Sequence, residues 1–485
     1  MPFAMPAISH AMTRTLSLLA ATLLLSGCAV VQRSPSLPPA VQQALDASGL
    51  ASDALAYVAI PLHQRDRALR LRDQQAMQPA STMKLVTAIV ALDRLGPNAR
   101  GRTELLAADA VLGDVLNGPL YLRGGADTDL DWGVLSTLLR RVREQGVREI
   151  RGGLVVDRTL FKPARADLGV PPFDEQPEFQ YNQIPDALQL NVNLLDVSMR
   201  SDATGIEARV FPAWPGLGID TRAFSLFDAR CADWEDGWKL PVVVAGQIQL
   251  QGGFPKNCSR SEKLNLVDRQ LLTAAAVRQL WRELGGEIGA GDIEAPTPLE
   301  ARLLARHTGR PLAEVTRELM KSSDNPLARL TYLRLGAASA KAADYPRTVD
   351  AADAEVRAWF KAHGIDDAGL VMDNGSGLSR SERIKPAQLA AMLVAALDGK
   401  LAPELLTALP IAGVDGTLRN RLKGPATLGL ARLKTGTLNN AVALAGVVPD
   451  RQNRPWVVVV MLNAPQAGKK GRPVLDAVIE WVAGQ

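Results

Sequence analysis

Residues 79–96 read PASTMKLVTAIVALDRLG. Apolar residues recur at helical spacing after Ser81, and Gly96-Pro97 ends the run, so we predict a helix that begins at Ser81. Lys84 lies three residues later on the same face of that helix, where its amine can reach the Ser81 hydroxyl. A partly buried lysine loses basicity and can then accept the proton of a serine nucleophile. The stretch therefore predicts a nucleophile and its base at the start of a helix.

Two later motifs strengthen this interpretation, because Ser-x-x-Lys alone also fits a helix cap beside a solvated lysine. The sequence Ser323-Asp324-Asn325 interrupts helical segments and offers a hydroxyl that can relay a proton and an amide that can hold a substrate backbone. The sequence Lys434-Thr435-Gly436-Thr437 lies on a predicted strand and supplies charge and hydroxyls for a carboxylate. Gly436 allows close approach of an extended substrate. Three such motifs, each on suitable secondary structure, predict one catalytic site.

The segments around these motifs predict an α/β unit formed by the two ends of the chain. Residues 55–62 and 68–72 resemble a hairpin, and an edge hairpin at Asn439-Asn440 would complete the same antiparallel sheet. The other elements expected from periodicity are strands at 430–438, 442–448 and 456–462, and helices at 41–47, 267–284, 301–322 and 474–482.

The region between the first and second motifs has a different character. Its short apolar runs are separated by Gly, Pro and Asp turns, so we expect a mostly β insertion of one or two small domains at 106–265. The domain that carries the three motifs would then comprise residues 40–105 and 266–485. The strands expected in the insertion are 120–123, 154–156, 189–192 and 242–250.

The N-terminus predicts export. An apolar run at 16–25 follows Arg14 and is too short to span a bilayer. It ends in Leu25-Ser26-Gly27-Cys28, which resembles a bacterial lipobox, so we expect a signal peptide at 1–28, lipid on Cys28 and a linker at 29–39. Ala29 after the cysteine favours the outer membrane by resemblance to such lipoproteins, with the folded part in the periplasm. The alternative is an ordinary secretory signal that is cleaved near Ala29.

Composition limits the partners and cofactors. The net charge of +4 arises from 55 basic and 51 acidic residues, which is too balanced to indicate nucleic-acid binding. The four histidines are not spaced as metal ligands, so we expect neither a metal nor a cofactor. In an oxidising compartment Cys231 and Cys258 are candidates for a disulfide, although two unpaired core cysteines are the alternative.

With its three motifs, the chain resembles the penicillin-binding proteins and serine β-lactamases. The gap from Ser81 to Ser323 is 323 − 81 = 242 residues, far longer than in β-lactamases. Such an insertion after the nucleophile helix is typical of the low-molecular-mass class C penicillin-binding proteins, the D-alanyl-D-alanine carboxypeptidase/endopeptidase group. The stretches 120–125, 373–380 (DNGSGLSR) and 415–421 (DGTLRNR) also resemble that group.

The resemblance implies a three-layer α/β/α domain with an antiparallel sheet, interrupted by the insertion. It implies hydrolysis of D-Ala-D-Ala ends, and also of D-Ala-diaminopimelate cross-links, of peptidoglycan stem peptides through an acyl-serine that β-lactams trap. Backbone N–H groups of Ser81 and Thr437 would form the oxyanion hole. The implied roles are nucleophile for Ser81, base for Lys84, proton relay for Ser323, amide binding for Asn325, tuning of the site for Lys434, carboxylate binding for Thr435 and Thr437, and side-chain recognition for Asp157 and Arg380.

Other functions remain as alternatives. A β-lactamase would need a dedicated deacylation carboxylate, which the sequence does not reveal. A wall-binding lipoprotein without catalysis would leave the three intact motifs unexplained. The same objection applies to a Ser-His-Asp hydrolase, for which the sequence has no Gly-x-Ser-x-Gly motif.

Overall fold

The computed structural model describes residues 37–485. The predicted signal peptide, the lipobox with Cys28 and most of the predicted linker lie outside these residues. Within 37–485, none of the helices combines the length and apolarity that a bilayer crossing requires.

The described residues form helices near both ends of the range 37–485 and also within the insertion. In chain order they are α1 Pro39–Ser48, α2 Met83–Leu95, α3 Trp132–Glu144, α4 Arg269–Glu283, α5 Leu312–Ser322, α6 Asn325–Ala337, α7 Thr348–Ala362, α8 Pro386–Asp398, α9 Ala402–Ala408, α10 Ala467–Lys470 and α11 Arg472–Ala483.

The strands fall into a peptidase sheet and four further sheets. In chain order they are β1 Leu55–Pro61, β2 Leu69–Leu71, β3 Arg100–Ala107, β4 Val111–Leu112, β5 Val115–Leu116, β6 Leu120–Gly125, β7 Glu149–Ile150, β8 Leu154–Asp157, β9 Leu195–Ser201, β10 Ile206–Phe211, β11 Gly218–Asp220, β12 Phe224–Phe227, β13 Trp238–Val244, β14 Gln247–Pro255, β15 Ser259–Leu264, β16 Glu287–Ile288, β17 Ile293–Glu294, β18 Arg302–Pro311, β19 Arg432–Leu438, β20 Ala441–Pro449 and β21 Pro455–Asn463.

The peptidase sheet has the order β19-β20-β21-β1-β2, and all of its neighbouring strands are antiparallel. Every residue of β1 is buried, because helices cover both faces of the sheet. Helices α2, α6, α7 and α8 share a core with one face. On the other face α11 packs on β20 and β21, and Trp481 meets Tyr57 edge-on. This arrangement confirms the predicted α/β/α layers, the N-terminal hairpin and the edge hairpin at Asn439-Asn440.

The inserted part is longer than the expected 106–265. Strands β3 and β18 pair with each other in the sheet β17-β8-β6-β3-β18, so the insertion begins near residue 100 and ends near residue 311. Helix α4, which sequence analysis assigned to the peptidase domain, buries Trp281 in a core shared with α3 and β6. Periodicity identified this helix but could not show which core its apolar face joins.

Three sequence predictions are wrong in detail. The expected helix at 301–322 is strand β18 followed by α5, because β3 satisfies the backbone of 302–311 across the sheet and Pro311 precedes the helix. Residues 189–192 form a turn rather than a strand, with positive φ at Asn191 and Val192. The expected strand 242–250 is two strands, since Ala245 and Gly246 turn the chain in the left-handed region.

The insertion carries a disulfide between Cys231 and Cys258, which confirms the predicted pairing. It ties the turn Cys231–Gly237 to the start of β15. Trp234 in this turn is buried against Phe179 and Phe254. The bond therefore fastens this short 3-10 segment to the neighbouring strand.

We expect a Cys231→Ser/Cys258→Ser variant to be destabilised by about 3 kcal/mol, because the bond restricts a loop of 27 residues in the unfolded chain. Urea unfolding followed by tryptophan fluorescence measures this change. Reduction of the wild type should give the same shift. If the variant unfolded at the same urea concentration as the wild type in oxidising buffer, the stabilising role of the bond would be contradicted.

Candidate active site

Ser81 lies in a single 3-10 turn, Ala80–Thr82, that leads directly into α2. The turn is tight: Ala80 has φ 46°, in the left-handed region, where a residue other than glycine is strained. Strand β19 packs directly on it. A Cβ added to Gly436 would lie 2.7 Å from the Pro79 carbonyl oxygen and 3.0 Å from the Ser81 nitrogen. Glycine is thus needed here for the approach of the nucleophile turn, not only for the approach of a substrate.

Lys84, one turn into the helix, is fully buried. Its Nζ lies 2.9 Å from Ser81 Oγ and 2.6 Å from Asn325 Oδ1, and it also donates to the carbonyl of Ser376. Two of these oxygen atoms belong to residues that lie 241 and 292 positions beyond Lys84 in the sequence. The structure thus brings the first and second predicted motifs together around one amine.

Burial lowers the pKa of Lys84 to about 7, although the negative charges of Glu382 and Asp324 favour its protonated form. A neutral lysine has two N–H bonds and one lone pair. The amide oxygen of Asn325 and the carbonyl of Ser376 can only accept, so they occupy both N–H bonds. The lone pair is then left for the hydroxyl of Ser81, which is the arrangement that a general base requires.

The third motif joins the second through Lys434, which is also fully buried. Its Nζ donates to Ser323 Oγ at 2.8 Å and to the Thr435 carbonyl at 2.7 Å. Burial and the nearby charge of Lys84 hold the pKa of Lys434 well below its usual range. Ser323 itself has φ 63°, so its hydroxyl is presented by a strained residue at the end of α5.

The two threonines of the third motif have different surroundings. Thr435 is nearly buried, and its hydroxyl donates to Thr417 Oγ1 at 2.8 Å. Thr437 is exposed, two residues further along β19. Thr437 is therefore accessible to a ligand, whereas Thr435 is tied to a neighbouring segment of the peptidase domain.

The insertion forms one wall of the site through residues 173–183, a segment that sequence analysis did not identify. Asn325 Nδ2 donates to the Tyr181 carbonyl at 3.1 Å, and Gln180 reaches Asp324 at 3.3 Å. Arg329 donates to the carbonyls of Asn182 and Gln183, each at 2.9 Å. The segment has no helix or strand period that could have marked it. Both ends of the Asn325 amide are thus occupied within the protein, by Lys84 and by Tyr181.

Arg380 and Asp157 are the two remaining candidate residues, and they lie in different surroundings. Arg380 extends from the 373–380 loop to the insertion wall, where it donates to the Phe173 carbonyl at 2.7 Å and lies over the Phe173 ring. Asp157 is buried inside the insertion and accepts hydrogen bonds from Thr159 and Thr297. Burial favours its neutral form, yet these bonds hold the pKa of Asp157 below its usual range. None of these contacts joins Asp157 to the three motifs.

Glu382 is a second feature that sequence analysis missed. Its fully buried carboxylate accepts backbone N–H groups of the 373–380 loop, namely Asp373 at 3.3 Å, Asn374 at 3.1 Å, Gly375 at 2.7 Å and Gly377 at 2.8 Å. That loop supplies the Ser376 carbonyl to Lys84. Burial raises the pKa of Glu382, while the loop hydrogen bonds oppose the rise. Glu382 therefore fixes one of the three oxygen partners of the buried amine.

The model of the D-Ala-D-Ala carboxypeptidase 3 (S13) family matches residues 39–485. A D-alanyl-D-alanine carboxypeptidase of an Actinomadura species is 30% identical over 431 residues, which cover 83% of this chain and 76% of that protein. D-alanyl-D-alanine carboxypeptidase DacB of Haemophilus influenzae is 26% identical, with 81% of each chain covered. The crystal structure of penicillin binding protein 4 (dacB) from Haemophilus influenzae superposes with a TM-score of 0.77 at 23% identity, covering 92% of this chain and 99% of that one, which confirms the predicted fold class.

We expect Glu382→Gln to lower the pKa of Lys84 below its wild-type value of about 7. The substitution removes a negative charge that favours the ammonium and places an amide N–H against the N–H of Gly377. The pKa is measured by NMR titration of protein labelled with ¹³C at lysine Cε, with the Lys84 signal assigned by its loss in Lys84→Arg. Glu144→Gln, on the exposed face of α3, is the matched control. Equal titration of Lys84 in all three proteins would contradict the role of Glu382.

Proposed function

Because the chain belongs to the D-Ala-D-Ala carboxypeptidase 3 (S13) family, we propose that it is a serine D,D-peptidase that removes the terminal D-alanine from peptidoglycan stem peptides. The observation that carries the proposal is the buried Lys84 amine at 2.9 Å from Ser81 Oγ. Its pKa of about 7 keeps a large fraction of the amine neutral at neutral pH. The relatives named D-alanyl-D-alanine carboxypeptidase support the choice of substrate.

In the proposed first step, Ser81 Oγ attacks the carbonyl carbon of the penultimate D-alanine and its proton passes to Lys84 Nζ. The carbonyl oxygen becomes an oxyanion, which the backbone N–H groups of Ser81 and Thr437 stabilise. The tetrahedral intermediate then collapses, the C–N bond breaks, and the amine of the leaving D-alanine takes the proton that Lys84 had accepted. Ser323 is the relay for that proton, because its hydroxyl is bonded to Lys434.

In the second step, water attacks the acyl-Ser81 ester and Ser81 regains its proton. The same ester forms when Ser81 opens a β-lactam ring, and we propose that β-lactams bind here for that reason. Thr437, being exposed on β19, binds the terminal carboxylate, and Thr435 joins it when its hydroxyl turns away from Thr417 Oγ1. The D-Ala-D-Ala carboxypeptidase family to which the chain belongs favours a peptidase over a β-lactamase.

The leaving group need not be free D-alanine. We propose that the enzyme also cleaves D-Ala-diaminopimelate cross-links, since such a leaving residue carries its own carboxylate next to the scissile bond. The substrate partner would then be cross-linked peptidoglycan as well as its free stem peptides. We place the protein in the periplasm, attached to the outer membrane by lipid on Cys28.

We expect the purified full chain to gain the mass of one benzylpenicillin, and Ser81→Ala to gain none. The adduct should persist for minutes to hours, as we expect for a peptidase that hydrolyses its penicilloyl ester slowly. Intact mass spectrometry over time measures both the adduct and its loss. Ser225→Ala is the matched control, since Ser225 is an exposed serine in the insertion. Release of D-alanine from a pentapeptide, lost in Ser81→Ala, tests the peptidase activity itself.

Other outcomes of this experiment have distinct meanings. Destruction of the drug without an accumulating adduct would favour a β-lactamase. A wild type that neither binds the drug nor releases D-alanine would refute catalysis and leave a wall-binding protein as the function.

We expect metabolic labelling with radioactive palmitate to mark the wild-type chain and not Cys28→Ser. A diacylglycerol on the Cys28 thiol is the physical reason, since the thiol is the acceptor atom. Cys28→Ala gives the same result if the thiol is the only acceptor. Equal labelling of wild type and Cys28→Ser would contradict the lipid anchor.

A further inference from the structure

A cavity of about 660 Å³ adjoins the three-motif site. Helix α5 lines one side of it, and the segment 415–420 lines another. Two links join the cavity to the site: Thr417 accepts the hydrogen bond from Thr435, and Ser322 directly precedes Ser323. We call this space the leaving-side cavity.

The wall of the leaving-side cavity is held in place by its own contacts. Lys321 is bonded to Asp415 Oδ2 at 2.6 Å and to the Leu409 carbonyl at 2.7 Å. The other carboxylate oxygen of Asp415 accepts the N–H of Ile411 at 2.8 Å. A Cβ added to Gly416 would lie 2.7 Å from the Lys321 carbonyl oxygen. The segment therefore packs closely on α5, and the cavity is a built feature rather than a gap beside a loose loop.

The charge of the cavity is positive. Arg317, Lys321 and Arg419 line it together with one carboxylate, Asp415, so three positive and one negative side chains give 3 − 1 = +2. Asp415 is paired with Lys321. Arg317 and Arg419 are both exposed, and neither forms an ion pair with another residue of 37–485 within 4.0 Å. Two guanidinium groups thus face one cavity with their donors available to an anion, and their planar forks match carboxylates.

The position of the cavity relative to the scissile bond follows from the proposed function. The terminal carboxylate of the substrate binds Thr435 and Thr437, and that carboxylate belongs to the residue that leaves. Thr435 contacts Thr417 of the cavity wall, so the cavity begins where the leaving residue ends. A free D-alanine has only a methyl side chain and would leave 660 Å³ unfilled. A leaving residue that continues into a second stem peptide would extend into this space and bring further carboxylates.

We propose that the leaving-side cavity binds the carboxylate-bearing stem peptide on the leaving side of a cross-link, through Arg317 and Arg419. This inference rests on the proposed D,D-peptidase function. It assigns the enzyme a preference for cross-linked peptidoglycan over free pentapeptide, because only the cross-linked substrate has anionic groups that reach the two arginines. Electrostatic recognition of this kind weakens as salt concentration rises.

The test compares kcat/KM for a D-Ala-diaminopimelate cross-linked dimer with kcat/KM for a monomeric disaccharide pentapeptide. Full-length wild type and Arg317→Gln/Arg419→Gln are used. We expect the dimer-to-monomer ratio to fall roughly tenfold in the variant, as expected for two lost charge-assisted contacts. Higher salt should lower the ratio in the wild type and not in the variant. Arg209→Gln/Arg302→Gln, which removes two exposed arginines from the insertion, should keep the wild-type ratio.

The outcomes separate the two proposals. A ratio that stays within twofold in Arg317→Gln/Arg419→Gln overturns the leaving-side subsite while the peptidase function stands. A wild type that cleaves the monomer but not the dimer also overturns it. A wild type that cleaves neither substrate refutes the peptidase function first, and the subsite with it. A fall in the ratio for the Arg209→Gln/Arg302→Gln control as well would assign the effect to overall charge rather than to this cavity.

Discussion

The site depends on the burial of the Lys84 amine, because an amine removed from water must find its hydrogen-bond partners in the protein. Those partners come from the nucleophile turn, from the start of α6 and from the loop before α8. Only a fold that closes a loop of more than two hundred residues can bring the nucleophile turn and the start of α6 together. The long insertion is compatible with this requirement because it leaves and returns through a paired sheet, β3 with β18, which fixes the separation of its two ends.

The insertion is also part of the site, not merely a spacer. Its segment 173–183 meets Asn325, Asp324 and Arg329 and, through Phe173, Arg380. Two of these partners lie in α6, so the wall and the second motif are fixed as one structure. This coupling explains why a segment without regular secondary structure can be well defined: side chains of the peptidase domain satisfy its backbone carbonyls.

Sequence patterns located the parts of the fold and site that depend on near neighbours. The Ser81–Lys84 pair follows from helical spacing, and β1, β2 and the three C-terminal strands follow from short apolar runs bounded by turn residues. The parts that were missed depend on distant partners. The sequence of β18 predicts a helix, and only its pairing with β3 makes it a strand. Helix α4 packs in the core of the insertion. The role of Glu382 becomes visible only in the structure, where four backbone N–H groups surround its carboxylate. Periodicity carries no information about such pairings.

The charges of the site support a division of tasks between its two lysines. Burial holds the pKa of Lys434 far below its usual range, and the positive charge of the nearby Lys84 lowers it further by disfavouring a second ammonium. Two negative charges, Glu382 and Asp324, act on Lys84 and keep its pKa at about 7. In the proposed mechanism, Lys84 is therefore the amine that gains and loses a proton near neutral pH, as a base that cycles during turnover must. Lys434 then acts chiefly as a fixed donor to Ser323 and the Thr435 carbonyl, which holds the second and third motifs in register.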